Sequence, residues 1–219
     1  MLKLELHAHT SDDPCDYIPH TLTDLVDRAA ALGYGALAIT LHDRQLDVSA
    51  SAAYARDRGV LLIQGVERAV QGKHVLLINF PSEAERVRSF DEIAELKKRS
   101  NGLVVAPHPF YPAGSCLRHL MNRHADLFDA VEFNAMYTRG LNFNGPAVRW
   151  AERHGKTLVG NADVHRLSQL GTTYSLVDAD AEADAICEAI RAGRVTVKTR
   201  PLGWVRAVTL TGRIVLKVR

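Results

Sequence analysis

Short apolar runs alternate with amphipathic stretches along almost the whole chain, and this alternation restricts the possible fold more than any other feature. Strands that alternate with helices favour a parallel sheet covered by helices. About seven strand–helix units favour a closed or nearly closed barrel over an open sheet. The predicted strands cover residues 2–6, 36–40, 60–63, 74–80, 103–106, 130–133, 157–160, 174–177 and 195–197. The predicted helices cover residues 21–32, 49–58, 90–99, 115–124, 146–154 and 181–192.

One connection differs from the rest. The run at 74–80 follows the run at 60–63 and Glu67 after only a short turn around Gln71-Gly72-Lys73. Such a gap is too short for a helical crossover, so we expect an antiparallel hairpin. The sequence contains no glycine-rich nucleotide-binding loop after any predicted strand, which disfavours an open nucleotide-binding sheet.

The bulk composition indicates one α/β domain over residues 1–219. The chain has 219 residues, of which 47% are hydrophobic, enough for one substantial core. Cys15, Cys116 and Cys187 have no CxxC spacing and are expected to be reduced thiols. There is no visible signal peptide and no apolar stretch of about 20 residues, so we expect a cytoplasmic protein without a membrane partner.

A basic extension begins at about residue 195. No acidic residue follows Glu188, whereas eight cationic residues do: Arg191, Arg194, Lys198, Arg200, Arg206, Arg213, Lys217 and Arg219. Because parts of this tail are apolar, including residues 214–216, we expect one or two last strands at the barrel edge. A surface for phosphate-rich ligands or a partner is the alternative.

Polar side chains that can bind metals follow most of the predicted strands. In an α/β barrel, such positions meet at one end, where the chemistry takes place. His74 begins its strand, but the hairpin would bring it opposite Glu67. The residues at these positions are His7, His9, His42, Glu67, His108, Glu132, Asn134, Asp163 and His165.

This ligand set indicates a metal centre with more than one ion. Imidazoles and carboxylates without thiolates suit Zn²⁺, Mn²⁺ or Fe²⁺. A single ion needs only three or four ligands, so we expect two or three divalent ions with a bridging carboxylate. Ions about 3.5–4 Å apart can activate a bridging water and bind the oxygens of a phosphoryl group.

These motifs resemble those of the PHP (polymerase and histidinol phosphatase) domain phosphoesterases. The resemblance spans residues from about 2 to 200, and the pieces occur in the family's order. It implies a distorted (β/α)7 TIM-like barrel with a trinuclear metal site at its C-terminal face. The matching segments are HAHT at 7–10, ITLHD at 39–43, GVE at 65–67, KHVLLIN at 73–79, APHP at 106–109, VEFN at 131–134 and NADVH at 161–165.

The resemblance also implies a ligand set. The first metal would bind His7, His9, Glu67 and Asp163. Glu67 would bridge to a second metal, which His74 and His108 complete, and the third would bind His42, His165 and Asp16. Asp16 lies outside the family's usual register, with Asp12 or Asp13 as alternatives. Leu41 stands where the family often has an aspartate, so a supporting carboxylate is missing there.

The implied function is metal-dependent phosphoester hydrolysis by a metal-bridging hydroxide. The substrate would be a phosphomonoester, such as a nucleotide or histidinol phosphate, or an oligonucleotide end. The expected catalytic residues are His7, His9, Glu67, His108, Asp163 and His165. The expected substrate-binding residues are Arg44, Arg166, Glu132 and Asn134.

Two other functions are compatible with parts of the pattern. HxH after the first strand also occurs in metal-dependent amidohydrolases, but those often use a carbamylated lysine where Glu67 stands. A non-catalytic, metal-stabilised module could bind nucleic acid through the basic tail, although it would not need so complete a ligand set.

Overall fold

The apolar runs form nine strands of a single sheet in the computed structural model, which describes residues 1–215. The fold is mixed α/β with a nearly closed, barrel-shaped sheet, as the sequence predicts. The strands are β1 (Leu2–Ala8), β2 (Ala36–Ile39), β3 (Leu61–Val70), β4 (Lys73–Ile78), β5 (Leu103–Ala106), β6 (Ala130–Asn134), β7 (Thr157–Asn161), β8 (Thr173–Val177) and β9 (Val195–Thr199).

Within residues 1–215, seven α-helices accompany the sheet, and capping accounts for where several of them begin and end. The Thr21 side chain accepts a hydrogen bond from the Asp24 amide, and the Asp24 carboxylate accepts one from the Thr21 amide. The helices are α1 (Leu22–Ala31), α2 (Ser49–Arg56), α3 (Phe90–Lys97), α4 (Leu120–Arg123), α5 (Gly145–His154), α6 (Ala183–Arg191) and α7 (Trp204–Val215). Two 3₁₀ turns, Ser82–Arg86 and Leu167–Gln169, complete the set.

The strand order is β7-β6-β5-β4-β3-β2-β1-β8-β9. The predicted hairpin is confirmed, since β3 and β4 pair antiparallel with Glu67 opposite Leu76. The expected parallel pairing holds for β1 with β2, β2 with β3, β5 with β6 and β6 with β7. It fails for β4 with β5, β1 with β8 and β8 with β9, which are antiparallel.

The ends of the sheet approach each other at Gly160 of β7. The hydroxyl of Ser175 in β8 accepts a hydrogen bond from the Gly160 amide at 2.8 Å and donates to the Gly160 carbonyl at 3.2 Å. A Cβ at Gly160 would lie only 2.8 Å from Cγ1 of Val197 and 2.9 Å from the Tyr174 carbonyl oxygen. Glycine therefore permits this close approach of β7 to β8 and β9.

A second closure lies at the C-terminal ends of the strands. The His9 amide donates to the Val164 carbonyl at 3.1 Å, and the Val164 amide donates to the His7 carbonyl at 2.9 Å. This short parallel bridge connects the end of β1 to the segment after β7. It brings the HxH pair directly beside Asp163 and His165.

Two sequence predictions of secondary structure are wrong. The helix expected over residues 115–124 is reduced to α4, because Arg118 has a positive φ of 49°, which interrupts helical geometry. The last strand expected around residues 214–216 is also wrong for Ile214 and Val215, which belong to helix α7. Leu216 and the three residues after it lie outside the described part of the chain.

No helix within residues 1–215 is both long enough and apolar enough to cross a membrane. The cysteines form no disulfide in this part of the chain, and the Cys116 and Cys187 thiols are buried.

Candidate metal centre

Glu67 occupies the centre of the site, and its two carboxylate oxygens face different imidazoles. Its Oε2 lies 3.2 Å from Nε2 of His7 and 3.1 Å from Nε2 of His42. Its Oε1 lies 2.6 Å from Nδ1 of His74 and 3.2 Å from Nε2 of His108. The Glu67 side chain is almost fully buried. A buried carboxylate with imidazoles on both oxygens can bridge two cations.

Asp163 lies near His7 and two further imidazoles, those of His9 and His165. Its Oδ1 lies 3.4 Å from Nε2 of His7, 3.6 Å from Nε2 of His9 and 3.2 Å from Nδ1 of His165. Oδ1 of Asp163 and Nε2 of His7 and of His9 are buried and have no hydrogen-bond partner. Buried polar atoms are rarely left without a partner. A cation between these three atoms would satisfy all of them, so the donor set fits a metal ion.

Four groups of side chains in the described residues present ligand atoms that lie within 4.8 Å of one another. All of these side chains are among the ligands predicted from the sequence. The groups are His7, His9 and Glu67; His7, His108 and Asp163; His42, Glu67 and His74; and His9, His42 and His165.

The loop after HAHT brings Asp16 to this last group. Oδ2 of Asp16 lies 3.3 Å from Nε2 of His165, and the side chain lines the cavity described below. Asp12, an alternative ligand, instead accepts a hydrogen bond from the Thr10 hydroxyl at 3.2 Å. The structure therefore brings Asp16 into the site in spite of its unusual register.

Asp13 has a different role from Asp12 and from Asp16. Its buried Oδ2 lies 2.8 Å from Nδ1 of His9 and 3.0 Å from Nδ1 of His42, and it also accepts the His42 amide at 3.0 Å. Its Oδ1 accepts the amides of Cys15 and Asp16 at 2.9 Å each. One carboxylate thus orients two imidazoles and shapes the loop that carries Asp16.

Asp13 compensates for the absence of a carboxylate at position 41. Leu41 is fully buried in the apolar core and cannot support an imidazole. Asp13 supplies a carboxylate to Nδ1 of His42 from a different segment of the chain. The sequence predicts Asp13 only as an alternative metal ligand and does not predict its contact with two imidazole Nδ1 atoms.

Other outward-facing Nδ1 atoms also have partners. Nδ1 of His7 lies 2.8 Å from Oε2 of Glu132, and Nδ1 of His108 lies 3.5 Å from Sγ of Cys116. In His7, His9, His42 and His108, the Nδ1 atom contacts a side chain on the outer side of the ring. The Nε2 atoms of these four residues therefore face the interior of the site. Such supporting contacts determine the tautomer and ring orientation of metal-binding histidines.

A buried polar network continues below the imidazoles. Glu132 accepts hydrogen bonds from Nδ2 of Asn161 at 3.0 Å and from Nδ2 of Asn134 at 2.7 Å. Glu5 accepts the amide of Ala162 at 2.9 Å. Glu5 and Asn161 were not among the predicted site residues. Glu5 could have been found, because side chains at positions 5, 7 and 9 of one strand share a face.

Two of the candidate ligands have a positive backbone φ angle. His108 has a φ of 30° and Asp163 a φ of 53°, both in the left-handed region that non-glycine residues seldom adopt. Conformations of this kind cost about 1–3 kcal/mol and persist where the surrounding structure enforces them. The strain is typical of functional sites.

Opposite charges shift the pKa values of the imidazoles. Burial alone would lower the pKa of His7, but Asp163, Glu67 and Glu132 raise it well above its usual value. For His165, Asp163 and Asp16 likewise outweigh burial and raise the pKa to about 10. Without metal, these imidazoles therefore hold protons that a cation would have to displace.

The carboxylates shift in the opposite direction. Burial by itself would raise the pKa of Glu67, but His7, His74 and His108 hold it well below its usual value. Burial is likewise outweighed at Asp163, where His7 and His165 keep the pKa low. The site therefore keeps these two carboxylates ionised over the pH range in which proteins usually work.

The ligand cluster forms the floor of a cavity of about 890 Å³. The walls come from the segments 111–116 and 134–143 and from helix α7. Its lining residues are Asp16, His42, Glu67, His74, His108, Tyr111, Pro112, Ala113, Ser115, Cys116, Asn134, Met136, Tyr137, Thr138, Leu141, Phe143, Asp163, His165, Trp204, Ala207, Val208 and Gly212.

The predicted substrate-binding residues fall into two groups. Asn134 lines the cavity, as expected for a residue near the substrate. Glu132 is fully buried behind His7, and neither Arg44 nor Arg166 is part of the wall. Arg44 instead donates to the Asp12 carbonyl at 3.1 Å, and the Arg166 guanidinium lies 5.8 Å from the Tyr17 ring centroid. The structure thus brings only Asn134 of these four to the cavity surface.

Comparison with known families gives a partial sequence match. The family described as PHP-associated, PHP_C, matches residues 142–195. The chain is also 37% identical over 78 residues to a 3',5'-nucleoside bisphosphate phosphatase of Chromobacterium violaceum. That match covers 35% of this chain and 26% of the relative, so it spans about a quarter of the relative's length.

Comparison with solved structures covers nearly the whole chain. PsfC from Pseudomonas syringae superimposes with a TM-score of 0.65 at 17% identity, over 99% of this chain and 97% of PsfC. A lesion-specific endonuclease from Pyrococcus furiosus has a TM-score of 0.60 at 17% identity, over 96% of this chain and 66% of the endonuclease. At this level of identity, the likeness establishes the fold.

Proposed function

We propose that this chain is a PHP-domain protein and, from that premise, that it is a metal-dependent phosphoesterase. The observation that carries the proposal is the environment of Glu67. Both oxygens of this buried carboxylate face imidazole nitrogens, and beside it Nε2 of His7, Nε2 of His9 and Oδ1 of Asp163 lack any hydrogen-bond partner. Such a site suits divalent cations that act on a phosphoryl group.

We assign the ligands to three positions, for Zn²⁺, Mn²⁺ or Fe²⁺. Each position combines imidazoles with at least one carboxylate from the clusters described above. The first position has His7, His9, Glu67 and Asp163. Glu67 also serves the second position, together with His74 and His108. The third position has His42, His165 and Asp16.

The side chains of this chain prepare the site for hydrolysis. Bound divalent ions would supply Lewis-acid polarisation of the phosphoryl oxygens and lower the pKa of a bound water. Glu132 and Asp13 hold the Nδ1 sides of His7, His9 and His42, so the Nε2 atoms point inward. Asn134 lies at the cavity surface beside Asp163, with its Nδ2 3.4 Å from Oδ2 of that carboxylate.

The structure does not favour the amidohydrolase alternative. Among the described side chains, no lysine lines the cavity, and the carboxylate between the imidazoles is that of Glu67. The partial sequence match to the 3',5'-nucleoside bisphosphate phosphatase of Chromobacterium violaceum is in keeping with phosphate-ester chemistry.

Metal analysis followed by turnover assays tests the proposal. The protein is purified without chelator, its metal content is measured, and Mn²⁺-supplemented samples are assayed with phosphomonoesters and short oligonucleotides. We expect bound divalent metal and release of inorganic phosphate or a terminal nucleotide. Metal-loaded protein that hydrolyses none of these phosphoesters would contradict the proposal.

Glu67→Gln sharpens this test. Loss of the bridging charge should remove metal and reduce kcat/KM by roughly 10³-fold or more. Glu83→Gln is the matched control, because Glu83 is an exposed residue of the Ser82–Arg86 turn. The control should keep the metal content and activity of the unmodified protein.

A further inference from the structure

The cavity has two chemically different parts. All its ionisable carboxylate and imidazole groups belong to the candidate metal ligands of the floor. The outer wall is aromatic and apolar, and its side chains come from three separate segments. These outer residues are Tyr111, Met136, Leu141, Phe143, Trp204 and Val208.

Trp204, the first residue of α7, lies directly on the backbone of the segment 134–143. A Cβ built at Gly140 would lie 2.9 Å from Cζ2 of the Trp204 indole. The indole nevertheless remains 57% exposed, and it lines the cavity. One part of the ring is therefore packed on Gly140, while the rest is available to a ligand.

Helix α7 is held over the cavity from two sides. The Leu202 amide, just before the helix, donates to the Tyr137 carbonyl at 2.8 Å. The Tyr137 hydroxyl lies 2.9 Å from the Thr199 hydroxyl, and the Arg206 guanidinium donates to the Ser168 carbonyl. These contacts make Trp204 a positioned part of the wall.

The wall is poorly suited to a second charged group on the substrate. Among the described side chains, no lysine or arginine lines the cavity. A phosphate placed against this wall would lose its hydration without the cationic partners that phosphates require. An aromatic ring would instead gain contact with the indole and with the Tyr111 and Phe143 rings. A cavity of about 890 Å³ accommodates a ligand of that size.

We infer that the substrate is a phosphate monoester of an alcohol that carries an uncharged aromatic group, and that Trp204 determines this specificity. The inference rests on the proposed phosphoesterase function and narrows its substrate class. It separates this chain from enzymes whose substrates carry two phosphates.

The test compares 2-phenylethyl phosphate with ethyl phosphate, since both release a primary alcohol and differ in the ring. Burial of the phenyl ring should make kcat/KM about 10-fold higher, or more, for the phenylethyl ester. Adenosine 3',5'-bisphosphate should be a poorer substrate than adenosine 5'-monophosphate, because its second phosphate meets no cationic partner among the described side chains of the wall.

Two variants test the wall, and one serves as a control. Trp204→Ala should lower the ratio of the two kcat/KM values about 10-fold, through a loss that falls mainly on the phenylethyl ester. Gly140→Ala should lower the same ratio by displacing the indole. Val205→Ala should change neither value, because Val205 is 85% exposed and does not line the cavity.

Binding measurements keep the inference separate from the proposed function. The phosphonates with the same shapes, 3-phenylpropylphosphonate and propylphosphonate, are titrated into the metal-loaded protein by calorimetry. Absence of turnover with tight, Trp204-dependent binding of the phenyl compound would reject the phosphoesterase and retain the aromatic site. Three results would overturn the inference: equal kcat/KM values for the phenylethyl and ethyl esters, a preference for the bisphosphate, or the same loss of phenyl preference in Trp204→Ala and Val205→Ala.

Discussion

The floor and the wall of the cavity are held in place by different forces. On the floor, His7, His9 and His42 have hydrogen-bonded Nδ1 atoms, and the carboxylates between them are buried. In the wall, the Trp204 indole packs on Gly140, and Trp204 and Val208 remain 57% and 68% exposed. Directional contacts preserve ligand geometry to within tenths of an ångström, whereas packing preserves only a shape.

This difference separates chemistry from selectivity. Changes on the floor alter the positions of reacting groups, so their effects should extend to every substrate. Changes in the wall alter which organic group is bound, so they should change the hydrolysis only of substrates that contact the wall. The following predictions test that separation, beginning with the largest effect.

Asp13→Asn should disturb the floor without removing any proposed metal ligand. Its Oδ2 lies within hydrogen-bond distance of Nδ1 of both His9 and His42. The neutral side-chain amide of asparagine cannot contact both nitrogens with the same charge and geometry. Loss of such supporting carboxylates costs about 10–100-fold in metal affinity. Competition with a fluorescent chelator measures this loss.

Asp12→Asn is the matched control for Asp13→Asn. Asp12 precedes Asp13 directly but bonds to Thr10 and to no imidazole. Equal metal affinities for the two variants would mean that Asp13 does not position the imidazoles. A common loss of thermal stability in both variants would indicate a general defect of the loop.

The metal-free floor should lose stability as the pH rises. The pKa of His165 is raised from 6.5 to about 10, so its contribution is complete below pH 6.5 and is lost as the pH rises through about 10. The low pKa values of Glu67 and Asp163 act in the opposite sense and matter only under acidic conditions. We expect the Tm of metal-free protein to fall by several degrees between pH 7 and pH 10.

Metal should weaken this dependence, because cations replace the protons on the imidazoles. Thermal unfolding with and without added Mn²⁺ at each pH gives the comparison. If the two Tm profiles run parallel across the range, the raised imidazole pKa values do not govern the stability of the floor.

Trp204→Ala should have the smallest effect, because it changes selectivity with little loss of stability. The indole is more than half exposed, so we expect a change of less than about 1 kcal/mol in the free energy of unfolding. Phe128 is fully buried, and Phe128→Ala should cost about 3–5 kcal/mol. Chemical denaturation measures both values. A large loss for Trp204→Ala would mean that α7 supports the fold as well as the cavity.

Much of the architecture could be predicted from local patterns. All nine predicted strands are present, and the β3–β4 hairpin follows from the short gap between its strands. The antiparallel pairing of β8 with β1 could not be predicted, since it joins residues far apart in sequence. The sequence predicted a strand where the end of helix α7 lies, because the apolar run at 214–216 is compatible with a strand. The helical spacing of the cavity-lining residues Trp204, Ala207 and Val208 was the signal for a helix.

The site also contains some features that local sequence patterns predict and others that they do not. The predicted ligands follow strand ends or the hairpin, and the structure brings them together around Glu67. Asp13 and Cys116 were missed as supporting groups, because their contacts with imidazole Nδ1 atoms depend on how loops fold back. Arg44 was predicted to bind phosphate from its closeness in sequence to His42, but its side chain points to the Asp12 carbonyl.

The sequence by itself therefore determined which strands form and which ligand types stand at their ends. Those properties depend on side-chain periodicity and on positions within single strands. Only the tertiary structure decided which carboxylate supports each imidazole and which helix covers the cavity. Those contacts join segments far apart in the chain, such as Trp204 and Gly140, and their geometry depends on barrel closure and on loop paths that no local pattern encodes.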